Sequence, residues 1–262
     1  MRFAPIVASR KVNVHTEIKE VASVALEETF INQTDKDNRT QECFYGECYY
    51  CNEYNLVCPD QNGVLEGAII LLLPLHYKLH KLRSPWQRTY KKNLKPMWED
   101  DIHYCLAVQK STANQQRILD FVDVAIFDYL IGNADRHHYE VFKDVSNSAI
   151  LLIGNCNYPL IKEANNLHLD NGKSFGNPNH DEITILFPLL QCCMVRNSTY
   201  QQLKKLATIK LSYIVEHLLS QDPLWPLLSK SHLEALDRRL VTIIASIEVC
   251  FDSFNKNNVL KP

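Results

Sequence analysis

The feature that most restricts how this chain can fold is a group of four cysteines within sixteen residues, Cys43, Cys48, Cys51 and Cys58, in the spacing C-x4-C-x2-C-x6-C. Thiolates bind zinc tetrahedrally, so a structural zinc site is one interpretation. Zinc ribbons normally use two C-x2-C knuckles, and only Cys48 and Cys51 form one here, so the spacing favours local disulfides. Disulfides persist in oxidising compartments, which predicts passage through the secretory pathway.

The rest of the chain agrees with a secretory globular protein. Asn-x-Ser/Thr sequons at Asn32, Asn38 and Asn197 are glycosylation acceptors in that compartment. The first ten residues lack the apolar core of a signal peptide, which suggests that Met1 is not the natural start. The longest apolar run, residues 68–75, is too short to span a bilayer. A net charge of −2 predicts no strong attraction to nucleic acid.

The order of elements predicts an α+β protein with a little β structure first and mostly helix afterwards. Residues 66–74 form a short apolar run that predicts a buried strand. Residues 117–131 predict a helix with one apolar face that stops at Gly132. Residues 200–219 predict one further helix, and a capping box from Ser231 to Glu234 predicts another that reaches about residue 254.

Two polar clusters carry the chemistry. The string GNADRHHYE at 132–140 follows the best helix, and LHLDNGKSFG at 167–176 follows a strand-like stretch. An Asp in a loop after a helix, followed by an Asp-x-Gly past a strand, is the layout of a kinase C-lobe. There the first carboxylate, here Asp135, accepts the proton of the attacking hydroxyl, and the second, here Asp170, binds the metal that bridges the ATP phosphates.

Other interpretations of these clusters are open at this point. An Asp-Asn-Gly string is commonly only a turn. Asp135 could cap a helix end or pair with Arg136. His137 and His138 could bind a metal with Glu140, although adjacent side chains on a helix or strand point apart.

Longer strings resemble the secretory-pathway kinases named "family with sequence similarity 20". They are FDYLIGNADRHHYE at 127–140, DNGKSFGNP at 170–178, PLLQCC at 188–193, HLEALDRR at 232–239, CFYGEC at 43–48 and PIVASRKVN at 5–13. The match extends over nearly the whole chain. The residues in these strings are more similar to those of the family members that phosphorylate xylose than to those of the members that phosphorylate casein.

The resemblance implies an atypical protein-kinase-like fold, with an N-lobe remnant at 1–75 that carries the cysteine-rich loop and hinge strand, and a helical C-lobe at 76–262. It implies transfer of the γ-phosphoryl of ATP, with manganese, to the 2-hydroxyl of xylose in the glycosaminoglycan linkage oligosaccharide of proteoglycans. The implied compartment is the Golgi lumen, and a related secretory kinase or pseudokinase could be a protein partner. The alternatives are a Ser/Thr protein kinase for Ser-x-Glu motifs and a non-catalytic, pseudokinase-like partner.

Site residues follow from the same matching. Asp135 corresponds to the catalytic Asp, Glu140 to a nucleotide-contacting Glu, and Asp170 to the Asp that binds metal and nucleotide. The adenine-contacting hinge corresponds to Ile70, Leu71, Leu72 and Leu73. The implied disulfides are Cys43–Cys58, Cys48–Cys51, Cys105–Cys192 and Cys193–Cys250. We add one expectation of our own: the basic run from Lys78 to Lys95 forms an acceptor-side surface, with Trp86 against a sugar face.

The sequence departs from the family pattern in two places. No Gly-rich loop, phosphate-binding strand Lys or partner Glu precedes the matched region, which predicts a chain with a truncated N-lobe. Asp135 and Asp170 are also farther apart than in the family, with the excess near residues 154–168 around Cys156. The excess is either an insertion or an error in the gene model.

Overall fold

The computed structural model of the chain describes residues 7–13, 30–34, 36, 38–44, 56–69, 79–89, 91, 93–142, 171–222 and 225–262. Strands β1 to β8 are Val7–Asn13, Phe30–Thr34, Thr40–Phe44, Val64–Ile69, Leu79–Arg83, His138–Phe142, Val195–Arg196 and Leu260–Lys261. Helices α1 to α9 are Met97–Asp100, Tyr104–Gln109, Thr112–Gln115, Ile118–Ile131, Phe187–Cys192, Asn197–Ile209, Leu211–Leu219, Lys230–Ser253 and Lys256–Val259. A 3-10 turn at Ile183–Leu186 precedes α5. None of the helices in these ranges is long and apolar enough to cross a bilayer.

Residues Ile6–Leu72 form a compact unit of antiparallel strand pairs. Strand β1 pairs with β4, and β2 pairs with β3 in the register Ile31 to Cys43 and Thr34 to Thr40. A disulfide joins Cys43 to Cys58. Because these two sulfurs bind each other, the zinc site made from all four clustered cysteines is wrong. Cys48 and Cys51 lie outside the described residues, as does most of the predicted hinge strand.

The second unit comprises Met1–Pro5 and Leu73–Pro262. Its central helix is α4, in which every residue except Leu119 and Phe127 is buried. One side of α4 packs into a core with α5, α6 and α8, and the other side packs against an aromatic cluster that includes Phe121. The predicted helix and its stop at Gly132 (φ 71°) are confirmed. The expected single apolar face is wrong, because other elements cover α4 on both sides.

Buried acids on α4 are compensated by ion pairs. Asp120 and Asp123 both accept hydrogen bonds from the guanidinium of Arg196, at the end of β7. The hydroxyl of Thr199 also donates to Asp123, at 2.9 Å. Buried charges are tolerated in proteins when they are paired and hydrogen-bonded in this way. These contacts attach the start of α6 to the central helix.

The basic run is only partly a surface loop. Its first part forms β5, which pairs with β6 so that Lys81 lies opposite Glu140. Trp86 is 8% exposed, packs edge-on against Tyr104 and Phe121, and donates from its indole to Gln191 at 2.7 Å. Trp86 is therefore a core residue, and its expected role as an exposed platform for a sugar is wrong.

Two boundaries in the C-terminal third differ from those predicted. The predicted helix at 200–219 is two helices, because Lys210 adopts φ 71° between α6 and α7. The carboxylate of Asp237, on α8, accepts the Ser212 N–H at 2.9 Å and caps the new helix start. Helix α8 begins at Lys230 with Ser229 as its N-cap, so the predicted capping box at Ser231 is wrong.

Disulfides also hold the helical unit together. Cys105 on α2 is bonded to Cys192 at the end of α5, and the adjacent Cys193 is bonded to Cys250 on α8. With Cys43–Cys58, these are three of the four pairs that the family resemblance implies. Consecutive cysteines thus connect α5 to two different helices, and the first bridge closes a loop of 87 residues. Loops of that length give the largest entropic stabilisation per disulfide.

Candidate active site

The loop that carries Asp135 is built on the C-terminal end of α4. The backbone N–H of Asn133 donates to the Asp128 carbonyl at 2.8 Å, and the Asn133 side chain donates to the Asp128 carboxylate at 3.3 Å. The Asn133 amide oxygen then accepts the backbone N–H of Asp135 at 3.1 Å. Asn133 is only 1% exposed, so the loop follows a path set by a buried side chain.

Gly132 is required where α4 turns into this loop. Its φ of 71° is costly for residues with a Cβ. A Cβ at this position would also lie 2.9 Å from a guanidinium nitrogen of Arg239. The glycine therefore provides both the left-handed turn and the space for a buried arginine.

Asp128 and Arg136 form the buried ion pair under the loop. The guanidinium donates to both carboxylate oxygens, at 2.9 Å from Nε and 2.7 Å from Nη2. Burial raises the pKa of Asp128, and the hydrogen bonds from Arg136 oppose that rise. Arg136 is therefore the ion-pair partner of the buried Asp128.

Asp135 itself lies at the surface of the loop. Its Oδ1 is 2.6 Å from Nε2 of His137, and about a third of each side chain is exposed. A carboxylate with this degree of exposure can reach a solute while a neighbouring imidazole restrains it. Such an arrangement suits a group that accepts a proton from a bound hydroxyl.

Arg136 also connects the two polar clusters that the sequence separates by about 35 residues. Its Nη2 donates to Oδ1 of Asn171 at 3.1 Å. Asn171 immediately follows Asp170, which lies outside the described residues. The side chain of Glu140 is likewise not described, although its backbone is part of β6. The four predicted hinge residues, 70–73, are outside the described ranges as well.

The segment that follows the second cluster is held by α8. The backbone N–H of Phe175 donates to the carbonyl of Ile131 at 2.8 Å. Arg239, 3% exposed, donates to Oδ1 of Asp181 at 2.7 Å and to the carbonyls of Leu130 and His180 at 3.2 and 3.0 Å. One buried guanidinium thus joins the end of α4 to the segment after the second cluster.

Arg238 and Asp181 complete this attachment. Arg238 donates to both oxygens of Asp181, at 2.6 and 2.9 Å, and to the carbonyl of Pro178 at 2.7 Å. Sequence reasoning noted the string HLEALDRR only as part of a resemblance and assigned no role to either arginine. Two adjacent arginines on a predicted helix were the available signal, but the acid that they bind, Asp181, lies 57 residues before Arg238 in the sequence.

The carboxyl of Asp181 makes the stability of this attachment dependent on pH. The hydrogen bond from Arg238 lowers its pKa below the ordinary value of 3.8, partial burial opposes that effect, and the hydrogen bond from Arg239 adds to the lowering. A depressed carboxyl pKa stabilises the folded state above the unfolded-state pKa, and this stabilisation is lost as the pH falls through the folded-state pKa.

We therefore expect Asp181→Asn to lower the melting temperature near neutral pH and to matter progressively less in strong acid. Melting curves of both proteins from about pH 6 to about pH 2 measure this, because the unmodified protein loses the Asp181 contribution only below the unfolded-state carboxyl pKa of about 4. A difference in melting temperature that stays constant down to the lowest pH would contradict the prediction.

A cavity adjoins the loop that carries Asp135. Its walls include the aromatic rings of Trp86, Trp98 and Phe121, the loop residues 133, 134 and 136, and the side chains of Arg88 and Thr184. Arg88 hydrogen-bonds to Thr184, in the 3-10 turn, and lies 3.6 Å from Glu182. The cavity, about 60 Å³ in volume, therefore combines apolar walls with a small number of polar groups.

Comparisons with known proteins relate this arrangement to kinases. The family model "Fam20C: Golgi casein kinase, C-terminal, Fam20" matches residues 1–259. The glycosaminoglycan xylosylkinase of Homo sapiens is 43% identical over 98% of this chain, and the matched region is 58% of that protein. This chain therefore spans a little under three fifths of that relative.

Two solved structures are similar to this fold. The structure of hydra Fam20 with sugar has a TM-score of 0.75 and 43% identity, covering 99% of this chain and 69% of that one. The crystal structure of the Golgi casein kinase with Mn/ADP bound has a TM-score of 0.75 and 33% identity, covering 98% of this chain and 59% of that one.

Proposed function

This chain belongs to the Fam20 kinase family, and we propose that it supplies the catalytic loop and C-lobe of an ATP-dependent phosphotransferase that acts on the 2-hydroxyl of xylose in the glycosaminoglycan linkage region. The observation that carries the proposal is the 3.1 Å hydrogen bond from Arg136 to Asn171. It connects the loop of Asp135 with the residue that follows Asp170 in the sequence, which supports the proposal that the two carboxylates expected of a phosphotransferase act together.

In the proposed reaction, the acceptor oxygen forms a bond to the γ-phosphorus of ATP while the bond from that phosphorus to the β–γ bridging oxygen breaks. Asp135 accepts the proton of the acceptor hydroxyl. His137 restrains the Asp135 carboxylate from 2.6 Å, and the buried pair of Asp128 and Arg136 keeps the loop in place. Positioning of this kind is the main contribution that a protein makes to phosphoryl transfer.

Asp170 and Glu140 are the residues that would hold metal and nucleotide. Carboxylate oxygens are the donors that Mg²⁺ and Mn²⁺ prefer, so the residue types fit. When bound, the metal neutralises charge on the phosphates. Within the described ranges no three His, Cys, Asp or Glu side chains converge as a metal site, and those ranges exclude the side chains of both Asp170 and Glu140.

The acceptor and the compartment are the finer parts of the proposal. The 43% identity to the human xylosylkinase, against 39% to the human extracellular serine/threonine protein kinase FAM20C, favours xylose over a Ser-x-Glu peptide. The disulfides suit the secretory pathway, and we assign the Golgi lumen within it.

The test measures transfer to matched acceptors by protein expressed from its complete reading frame. We expect phosphate from ATP and Mn²⁺ to appear on a xyloside, but not on the same xyloside lacking its 2-hydroxyl and not on a Ser-x-Glu peptide. Transfer to the peptide alone would replace the proposal with a protein kinase.

A thermal-shift titration with ATP and Mn²⁺ separates catalysis from nucleotide binding. Saturation at one hundred times the dissociation constant stabilises a protein by about 2.7 kcal/mol. We expect this shift in the unmodified protein and its loss in Asp170→Ala. A folded protein with neither a shift nor transfer would favour the non-catalytic partner.

A further inference from the structure

The hairpin formed by β2 and β3 has two faces of different chemistry. In its register Ile31 lies opposite Cys43, and Thr34 lies opposite Thr40. Side chains alternate along a strand, so Ile31 and Cys43 share one face while Asn32, Thr34 and Thr40 share the other. Cys43 is completely buried and bonded to Cys58, so its face is the inner one.

The outer face carries two of the three sequons in the chain. Asn32 and Thr34 belong to the first, and Asn38 and Thr40 to the second; all four residues are exposed. The two threonine hydroxyls lie 3.4 Å apart across the hairpin. The proposed phosphoryl transfer uses none of these residues.

Asn38 is the better placed acceptor of the two. It lies in the turn between the strands with φ 58°, a left-handed conformation that asparagine tolerates well. Asn38 is exposed in this turn, whereas Asn32 lies within the ladder directly opposite Glu42.

The residues of the third sequon, at Asn197, form hydrogen bonds within the fold. The Thr199 hydroxyl donates to the buried Asp123 at 2.9 Å, and the Asn197 side chain accepts from Gln201 at 3.3 Å. These residues are accounted for by the attachment and first turn of α6. Among the residues that the structure describes, none forms a corresponding side-chain contact with the exposed Asn38.

We infer that Asn38, in the exposed turn between β2 and β3, carries an N-linked glycan. N-glycosylation requires entry into the secretory pathway, and a disulfide in the same hairpin is typical of a protein that has entered it. The inference is independent of the acceptor proposed for the kinase reaction, because it needs only the compartment.

The experiment compares variants that remove the sequon with one that retains it. Asn38→Gly removes the acceptor and tolerates the left-handed backbone, which most other residues would strain. Thr40→Ala removes the hydroxyl that the transferase requires, and Thr40→Ser keeps it. We expect each of the two sequon-removing variants to migrate faster on a gel by the mass of one glycan. Thr40→Ser should migrate with the unmodified protein.

Mass spectrometry identifies the site directly. Protein secreted from a eukaryotic host is treated with peptide N-glycosidase in heavy-oxygen water, which converts a glycosylated Asn into a labelled Asp. Label at position 38 supports the inference. An unlabelled Asn38 peptide from protein whose disulfides have formed overturns it, as does loss of the mobility step only in Asn32→Gln or Asn197→Gln.

Discussion

Asp135→Asn is expected to slow phosphoryl transfer by about 10²- to 10⁴-fold, the usual contribution of a general base. The amide has nearly the shape of the carboxylate but cannot take up the proton of the acceptor hydroxyl. The loop should keep its path, because Asn133 holds it through the backbone N–H of Asp135. Steady-state kinetics with the xyloside should show a fall in kcat with little change in KM, as for an interaction made in the transition state.

Asp252→Asn is the matched control for this variant. Asp252 lies on the exposed part of α8, so the same loss of one negative charge occurs away from the loop. We expect unchanged kcat in that variant, and a retained ATP and Mn²⁺ thermal shift in both. Transfer within a few-fold of the unmodified rate in Asp135→Asn would show that another group accepts the proton.

Arg239→Ala is expected to cost about 2–4 kcal/mol of unfolding free energy, because buried acceptors that lose their donor cost about 1–3 kcal/mol each. The substitution leaves a cavity beside Gly132, and it deprives the carbonyls of Leu130 and His180 of a donor. Equilibrium unfolding in urea gives the free energy. If the slope of the unfolding free energy against urea concentration is unchanged, the substitution has altered stability and not the compactness of the unfolded state.

Arg238→Ala is the control for the buried position. Arg238 bonds to the same carboxylate of Asp181, but its side chain is 46% exposed. Exposed ion pairs contribute about 1 kcal/mol or less. The prediction is contradicted if the two variants are equally stable, because burial would then not decide the contribution.

Local patterns predicted the elements whose signals lie within one stretch of chain. The helix at 117–131 and its stop at Gly132 are confirmed, because apolar spacing and a left-handed glycine are both local features. The kinase-like α+β class and the family, predicted from the long matched strings, are confirmed by the family model and the similar structures. The role of Asp135 stays a prediction, and the structure adds that its loop is rigidly held.

The wrong predictions share a physical cause. The helix at 200–219 is interrupted at Lys210 because Asp237, on another helix, caps the second half. Trp86 is in a basic run, yet Tyr104 and Phe121 bury it. In each case a contact between residues distant in sequence outweighs the local pattern. A local pattern cannot predict such a contact, because it depends only on neighbouring residues.

The sequence by itself determined the chemistry that this protein can offer: the carboxylates of Asp135 and Asp170, the glycine turn at 132 and the cysteines available for bridges. These depend on residue identity and on neighbours a few positions away. Only the tertiary structure decided which groups meet, joining Arg136 to Asn171 and Arg239 to Asp181. Such pairs form because burial makes an unpaired charge costly, and burial is a property of the folded chain.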